Sequence, residues 1–150
     1  MIPGARIRAT SYVTRTTSNG LQLLVFDYPS QPEAGTHLPG GGAEPGERLD
    51  AAATREVIEE TGITGHLELV GVVGVQQDNY DTGDPYISVY FHLASDEPRD
   101  VWKHTVVGDD DAWDTGLEVI CRFVPLAEAA PLLRTSWHRQ EEYLSLIDLP

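Results

Sequence analysis

Residues 41–63 read GGAEPGERLDAAATREVIEETGI, and three glutamates in this run set what it can become. Glu56, Glu59 and Glu60 are spaced i, i+3 and i+4, so in a helix their carboxylates leave one face of a single turn. Glu59 and Glu60 fall just before Gly62, at the end of a helix where the dipole favours cations. Each like-charge pair at this spacing costs about 0.2–0.5 kcal/mol in a bare helix. Spacing alone leaves two outcomes open: a solvated acidic face, or a site for a hard divalent cation such as Mg2+, which selects carboxylate oxygens.

A chain of 150 residues can bury a core without staples, and it reads as one domain over residues 1–150. The single cysteine, Cys121, forbids an intrachain disulfide and fits a reducing compartment; its alternating apolar neighbours suggest an inert buried thiol. No signal-like stretch and no run approaching about 20 apolar residues is present, so the expectation is a cytoplasmic chain without a membrane partner. The formal net charge of -14 counts against gripping a nucleic-acid polymer, which needs Lys and Arg against phosphates. An acidic chain still handles a phosphate ester when metal ions bridge the two negative partners. Composition therefore favours a small, metal-bound phosphorylated partner, and a homodimer is left open.

Along the chain, residues 7–16 read as a strand with Ile7, Ala9 and Val13 on one parity. Ser18-Asn19-Gly20 supplies a hairpin turn, with Asn-Gly suited to positive φ, and residues 21–27 form a second strand. Residues 28–36 are a loop, and Leu38-Pro39-Gly40-Gly41-Gly42 brings flexible backbone next to the acidic run. A helix is predicted over residues 47–61, with Leu49, Ala53 and Val57 as its apolar stripe and Gly62 as its stop. Residues 67–75 and 86–93 are strands, the second alternating through Ile87, Val89, Phe91 and Leu93, with a polar loop over 76–85 between them. Residues 102–107 and 118–124 pair around an acidic tip at 108–116. From Leu126 onward the pattern turns helical, with Trp137, Tyr143, Leu144 and Ile147 as candidate packing residues.

The positions around the glutamates fit the pattern G-x5-E-x7-R-E-U-x-E-E-x-G-U, with U aliphatic. Gly41, Glu47, Arg55, Glu56, Val57, Glu59, Glu60, Gly62 and Ile63 fill it without a departure. This resembles the Nudix box, the signature of the MutT-like Nudix hydrolases. With the order of elements above, the resemblance implies an α/β fold: a Nudix-type α/β/α sandwich with a mixed sheet and a central catalytic loop-helix. It also implies Mg2+ (with Mn2+ able to substitute) held by Glu56, Glu59, Glu60 and the carbonyl of Gly41. Arg55 would orient a glutamate, and Glu47 would be structural at the start of the helix.

The activity implied is hydrolysis of a phosphoanhydride bond in a nucleoside diphosphate linked to another moiety. The alternative is a Nudix-like domain that binds or senses a nucleotide without cleaving it, and such domains commonly lose box residues. The general base is left among Glu56 and Glu59 in the box and, outside it, Glu118, Asp109, Asp110, Asp111 and Asp114. Thr36 stands where many family members carry an aromatic residue before Leu-Pro-Gly-Gly. Tyr80 stands where a tyrosine occurs in Nudix hydrolases of dinucleoside polyphosphates, which makes it a candidate substrate-binding residue, with plain packing as the other reading. Trp102, Trp113 and Tyr86 are candidates to stack a nucleobase. The histidines show no zinc-ligand spacing.

Overall fold

A computed structural model describes residues 6–109, 112–136 and 138–147, and at its centre lies an eight-stranded mixed sheet. The strands are β1 (Arg6–Thr17), β2 (Gly20–Asp27), β3 (Thr36–His37), β4 (Gly40–Gly42), β5 (Leu67–Asn79), β6 (Pro85–Ser95), β7 (Val101–Thr105) and β8 (Glu118–Pro125). Helix α1 (Leu49–Thr61) links β4 to β5, and the short α2 (Ala129–Leu133) follows β8. Across the sheet the order is β5-β6-β1-β2-β8-β7, with β3 paired to β2 and β4 to β1. The β1–β6 pairing is parallel and the others are antiparallel.

Burial explains the layering. Along β2, Leu23 and Val25 join one hydrophobic cluster while Leu24 and Phe26 join another, the alternation of a strand covered on both faces. On one face α1 brings Val57 against Leu24 and Phe26, and Ala52 and Ala53 against Ala9 and Phe91. On the other face Ala129, Leu133 and Ile147 of the C-terminal part cover Tyr12, Leu23 and Val25. The sheet is thus packed between two helical layers, as the sequence predicts.

Several local predictions change. The strand at residues 7–16 is found as β1, with Ala9 and Val13 packed on the α1 side as their parity predicts; Ala9 to Thr14 are nevertheless buried without a break, because β1 lies inside the sheet with both faces covered, and Ile7 is 36% exposed. In the β1–β2 hairpin, Thr17 pairs with Gly20, and Gly20 alone carries the positive φ (+108°), so Ser18 and Asn19 form the turn. The polar loop predicted over 76–85 shrinks to residues 80–84, the rest being strand. Gln76 lies buried in β5 because its Nε2 donates to the Arg139 carbonyl (2.9 Å) while Tyr90 donates to its Oε1 (3.1 Å).

The C-terminal part holds only α2 and two 3-10 turns, Leu126–Glu128 and Leu144–Leu146. Thr135 and Ser136 spend their hydroxyls on the carbonyls of Leu132 and His138, competing with helix continuation, and the Leu38 N–H ties Gln140 Oε1 at 2.8 Å. Tyr143, Leu144 and Ile147 pack as predicted, and Trp137 lies outside the described residues. Cys121 is buried at the core, and burial pushes its thiol up to about 12. No helix among the described residues is long and apolar enough to cross a membrane.

Candidate active site

Helix α1 starts at Leu49 rather than at Glu47, and the reason lies in the Glu47 side chain. Its carboxylate accepts from Arg55 Nε (2.8 Å), from Arg55 Nη2 (2.9 Å) and from the Glu44 N–H (3.0 Å). These bonds, those from Arg55 first, hold the Glu47 carboxyl down at about 2. Arg55 then reaches forward along the helix. Its Nη1 donates to Glu56 Oε1 (2.9 Å) and Glu59 Oε2 (3.1 Å), and its Nη2 donates to the Gly42 carbonyl (3.0 Å). One planar fork therefore fixes three carboxylates and the glycine-rich strand β4, a geometry a lysine has no means to copy.

The other end of α1 is held equally firmly. Gly62 turns the chain in the left-handed region (φ +73°). The last helical carbonyls, which lack partners within the helix, are taken by the β7 side: Val107 N–H bonds Glu59 O (3.0 Å), Trp102 Nε1 bonds Thr61 O (2.6 Å), and His104 Nε2 lies 2.9 Å from Glu59 O. The carboxylate turn is thus rigid from both sides.

Glu56 and Glu60 are buried, at 9% and 6% exposure, and Glu59 is half-buried. Burial is the main force raising all three carboxyls above the usual range, opposed at Glu56 and Glu59 by Arg55. Glu60 is raised furthest into the neutral direction, because Asp114 and Glu56 add like charge to its burial. Its Oε1 accepts the Gly40 N–H at 2.6 Å. Gly41 presses against the same cluster: a Cβ there would lie 2.5 Å from the Glu56 carboxylate and would push it off the Arg55 fork.

Glu56, Glu60 and the glycines of β4 form one wall of a cavity of about 380 Å3, with a recess of about 70 Å3 beside it lined by Arg6, Arg55, Glu56, Glu59 and Glu60. The facing wall carries Arg8 from β1, Tyr28 after β2, His37 from β3, Trp113 and Asp114 from the β7–β8 connection, and His138, while Arg6 of β1 borders both the cavity and the recess. The Tyr28 hydroxyl donates to Asp114 Oδ2 (2.7 Å), and burial raises the phenol so far that it stays a donor. Burial lowers His37 and brings His138 down to about 4, so both imidazoles are neutral at neutral pH. Trp113 is 53% exposed, with its ring 4.9 Å from that of Tyr28.

The donor set suits a hard cation. Arg55 occupies one oxygen each of Glu56 and Glu59, leaving the second oxygen of each outside that network. Among the described residues, no three Asp, Glu, His or Cys side chains form a closed cage for a single ion. Mg2+ is commonly held by one or two carboxylates together with substrate phosphates, so a closed cage is not required for it.

The structure therefore brings Gly41, Arg55, Glu56, Glu59 and Glu60 together. Among the outlying acids, Asp109 and Asp114 line the cavity, Glu118 sits at the exposed start of β8, and Asp110 and Asp111 lie outside the described residues. Of the aromatic candidates only Trp113 reaches the cavity. Trp102 is a core residue at 8% exposure, and Tyr86 is buried with its hydroxyl on His138 Nδ1 (2.9 Å). Tyr80 does not line the cavity. It closes the β5–β6 hairpin with its ring 4.5 Å from that of Tyr86, half-buried rather than exposed. Thr36 is buried and hydrogen-bonds Asp27 Oδ1 at 2.5 Å. Arg6, Arg8, Tyr28 and His138 escape the sequence reading, although Arg6 and Arg8, two apart on a strand, share a face.

A family model described as the NUDIX domain matches residues 6–146. The mouse diphosphoinositol polyphosphate phosphohydrolase 3-alpha is 38% identical over 78 residues, covering 51% of this chain and 44% of its own. The rat diphosphoinositol polyphosphate phosphohydrolase 2 is 34% identical over 114 residues, covering 73% of this chain and 58% of its own. The chain thus spans about half the length of these curated relatives. In fold it is similar to the Caenorhabditis elegans Ap4A hydrolase in a binary complex, with a TM-score of 0.70, 19% identity, and coverage of 94% of this chain and 93% of that one.

Proposed function

We propose that this chain, which belongs to the Nudix family, is a Mg2+-dependent hydrolase cleaving a phosphoanhydride bond in a nucleoside diphosphate linked to another moiety. The observation that carries the reading is the turn Glu56–Glu59–Glu60, fixed by Arg55 at the edge of a 380 Å3 cavity with Gly41 backed against Glu56. A divalent ion there would draw its ligands from among Glu56, Glu59, Glu60 and the Gly41 carbonyl, completed by substrate phosphates. When bound, it would neutralise phosphate charge and lower the pKa of a bound water.

The chain's own groups supply the rest. Hydrolysis forms one P–O bond to water, breaks the bridging P–O bond, and leaves a proton for a base to accept. Glu56 and Glu59 are the proposed acceptors, each with one oxygen outside the Arg55 network. Arg55 keeps both carboxylates aimed, and Glu47 keeps Arg55 in place.

The names of the relatives extend the substrate choice to diphosphoinositol polyphosphates and dinucleoside polyphosphates, both of which contain the bond in question. The test is turnover of a panel: nucleoside di- and triphosphates, a dinucleoside tetraphosphate, nucleotide sugars, ADP-ribose and a diphosphoinositol polyphosphate, each with Mg2+ or Mn2+. Release of phosphorylated product from at least one member is expected. If none is turned over with either metal, the non-catalytic nucleotide-binding reading replaces this one.

A further inference from the structure

Arginines in this acidic chain are mostly spoken for. Arg15, Arg48, Arg55, Arg99, Arg122 and Arg139 each pair with a carboxylate. Arg6 and Arg8 form no ion pair or side-chain hydrogen bond among the described residues, although the chain holds 24 acidic residues against 10 Lys and Arg. Both line the cavity, and Arg8 is half-buried there. Standing two apart on β1, they project from the same face of the strand. The Arg6 guanidinium lies over Gly42, where a Cβ would come within 2.6 Å of Nη2, so glycine makes room for it. Arg8 shares the cavity lining with Glu56, Tyr28 and His138.

The cavity therefore offers two kinds of pole, carboxylates and two guanidinium groups uncommitted among the described residues, and they meet where Arg6 also borders the recess of Glu56 and Glu59. The carboxylate pole suits a phosphate only through a cation. The arginine pole suits a phosphate directly, because a guanidinium fork matches phosphate oxygens in a bidentate way. We propose that Arg6 and Arg8 clamp a phosphate of the substrate other than the one attacked, so that the preferred substrates carry phosphates beyond the scissile diphosphate. The proposal rests on the hydrolase reading for the word substrate, but the clamp itself is a binding property.

The test uses Arg6→Gln, Arg8→Gln, the double variant and Arg8→Lys, with Arg134→Gln as a control for lost positive charge at an exposed position outside the cavity. Calorimetry in Ca2+ measures binding of inorganic tripolyphosphate and of orthophosphate, and a separate titration measures Mn2+ affinity. Arg8→Gln is expected to weaken tripolyphosphate about tenfold, and the double variant further, the worth of a charge-assisted bond pair. Arg8→Lys should recover only part of the loss, while Arg134→Gln and Mn2+ affinity stay at wild-type values. In turnover, KM should rise about tenfold for clamped substrates with kcat nearly constant, and ADP-ribose, which has only the scissile diphosphate, should change little. Comparing the dinucleoside tetraphosphate with the diphosphoinositol polyphosphate tells which source supplies the clamped phosphate. Wild-type tripolyphosphate affinity in the double variant overturns the clamp. If no panel member is hydrolysed yet tripolyphosphate binding still depends on Arg8, the hydrolase reading falls and the clamp stands.

Discussion

On one wall of the cavity, Glu56, Glu59 and Glu60 come from a single helical turn, and Arg55 is their immediate neighbour in sequence. On the facing wall, Arg8 comes from β1, Tyr28 from the end of β2, Asp114 from the β7–β8 connection and His138 from the C-terminal segment, while Arg6 of β1 borders both the cavity and the recess. The first wall is fixed by helical spacing, which brings i, i+3 and i+4 together whatever the rest of the chain does. The second exists only because β1 pairs in parallel with β6 beside β2, gathering residues more than 100 positions apart. On the proposed function, the metal and base chemistry sits on the wall that one local motif can specify. On the same reading, the wall that would meet the rest of the substrate is assembled by topology, where single loops and strand ends can change without disturbing the proposed metal ligands.

The comparison breaks most visibly if the helical wall is dispensable. Glu59→Gln and Glu60→Gln keep shape while removing an ionised ligand, and each is expected to lower kcat about 100-fold or more, beyond the 10–100-fold typical for partners of metal ligands. Full activity in both variants, measured with saturating Mg2+, would remove the ligand assignment. Arg55→Ala comes next, at about 10–100-fold in turnover or metal affinity, because it frees three carboxylates and the Gly42 carbonyl at once. Arg55→Lys should rescue little, since an ammonium has no planar fork to bridge these acceptors. Near-complete rescue by lysine would mean that charge alone suffices.

Tyr80 marks where the facing wall ends. Its ring packs on Tyr86 and stays off the cavity lining, so Tyr80→Ala is expected to cost about 1–2 kcal/mol of stability, an aromatic pair and part of a buried ring, with KM unchanged. A raised KM at constant melting temperature would extend the wall to the β5–β6 hairpin and restore the substrate-binding role that its sequence position suggests.

Legibility follows the same division. Helix α1, its stop at Gly62 and its carboxylate face are readable because each depends on neighbours within a turn. The start is misread by the pattern because Glu47, a good helix residue, is claimed by Arg55 instead. The β7–β8 hairpin is found from its alternation, whereas the run at 76–85 looks like loop because Gln76 and Asp78 are polar. Their partners, Tyr90 and Arg139, are supplied from elsewhere in the chain. Tyr28 and His138 offer no local signal at all. Arg6 and Arg8 offer one, a shared strand face in an acidic chain, and it gains meaning only once β1 is seen to border the cavity.

The smallest expected effect lies on the seam between the walls, where Glu60 meets Asp114. In metal-free protein the Glu60 carboxyl, raised by burial and then by Asp114 and Glu56, keeps its proton to higher pH than in the unfolded chain, where it titrates near 4.5. Above that pH the folded state binds more protons than the unfolded one, so this group's contribution makes stability fall as pH rises through the window up to the raised value. Glu60→Gln removes the titration while its Oε1 still accepts the Gly40 N–H. With chelator present, the variant should match wild type near pH 4 and melt roughly 2–4 °C higher at neutral pH, the equivalent of about 1 kcal/mol in a chain of this size. Added Mg2+ should reverse the order, because the ion stabilises the ionised carboxylate that only the wild type possesses. If the two proteins melt alike at every pH without metal, Glu60 carries no stored electrostatic cost, and the two walls meet without repulsion.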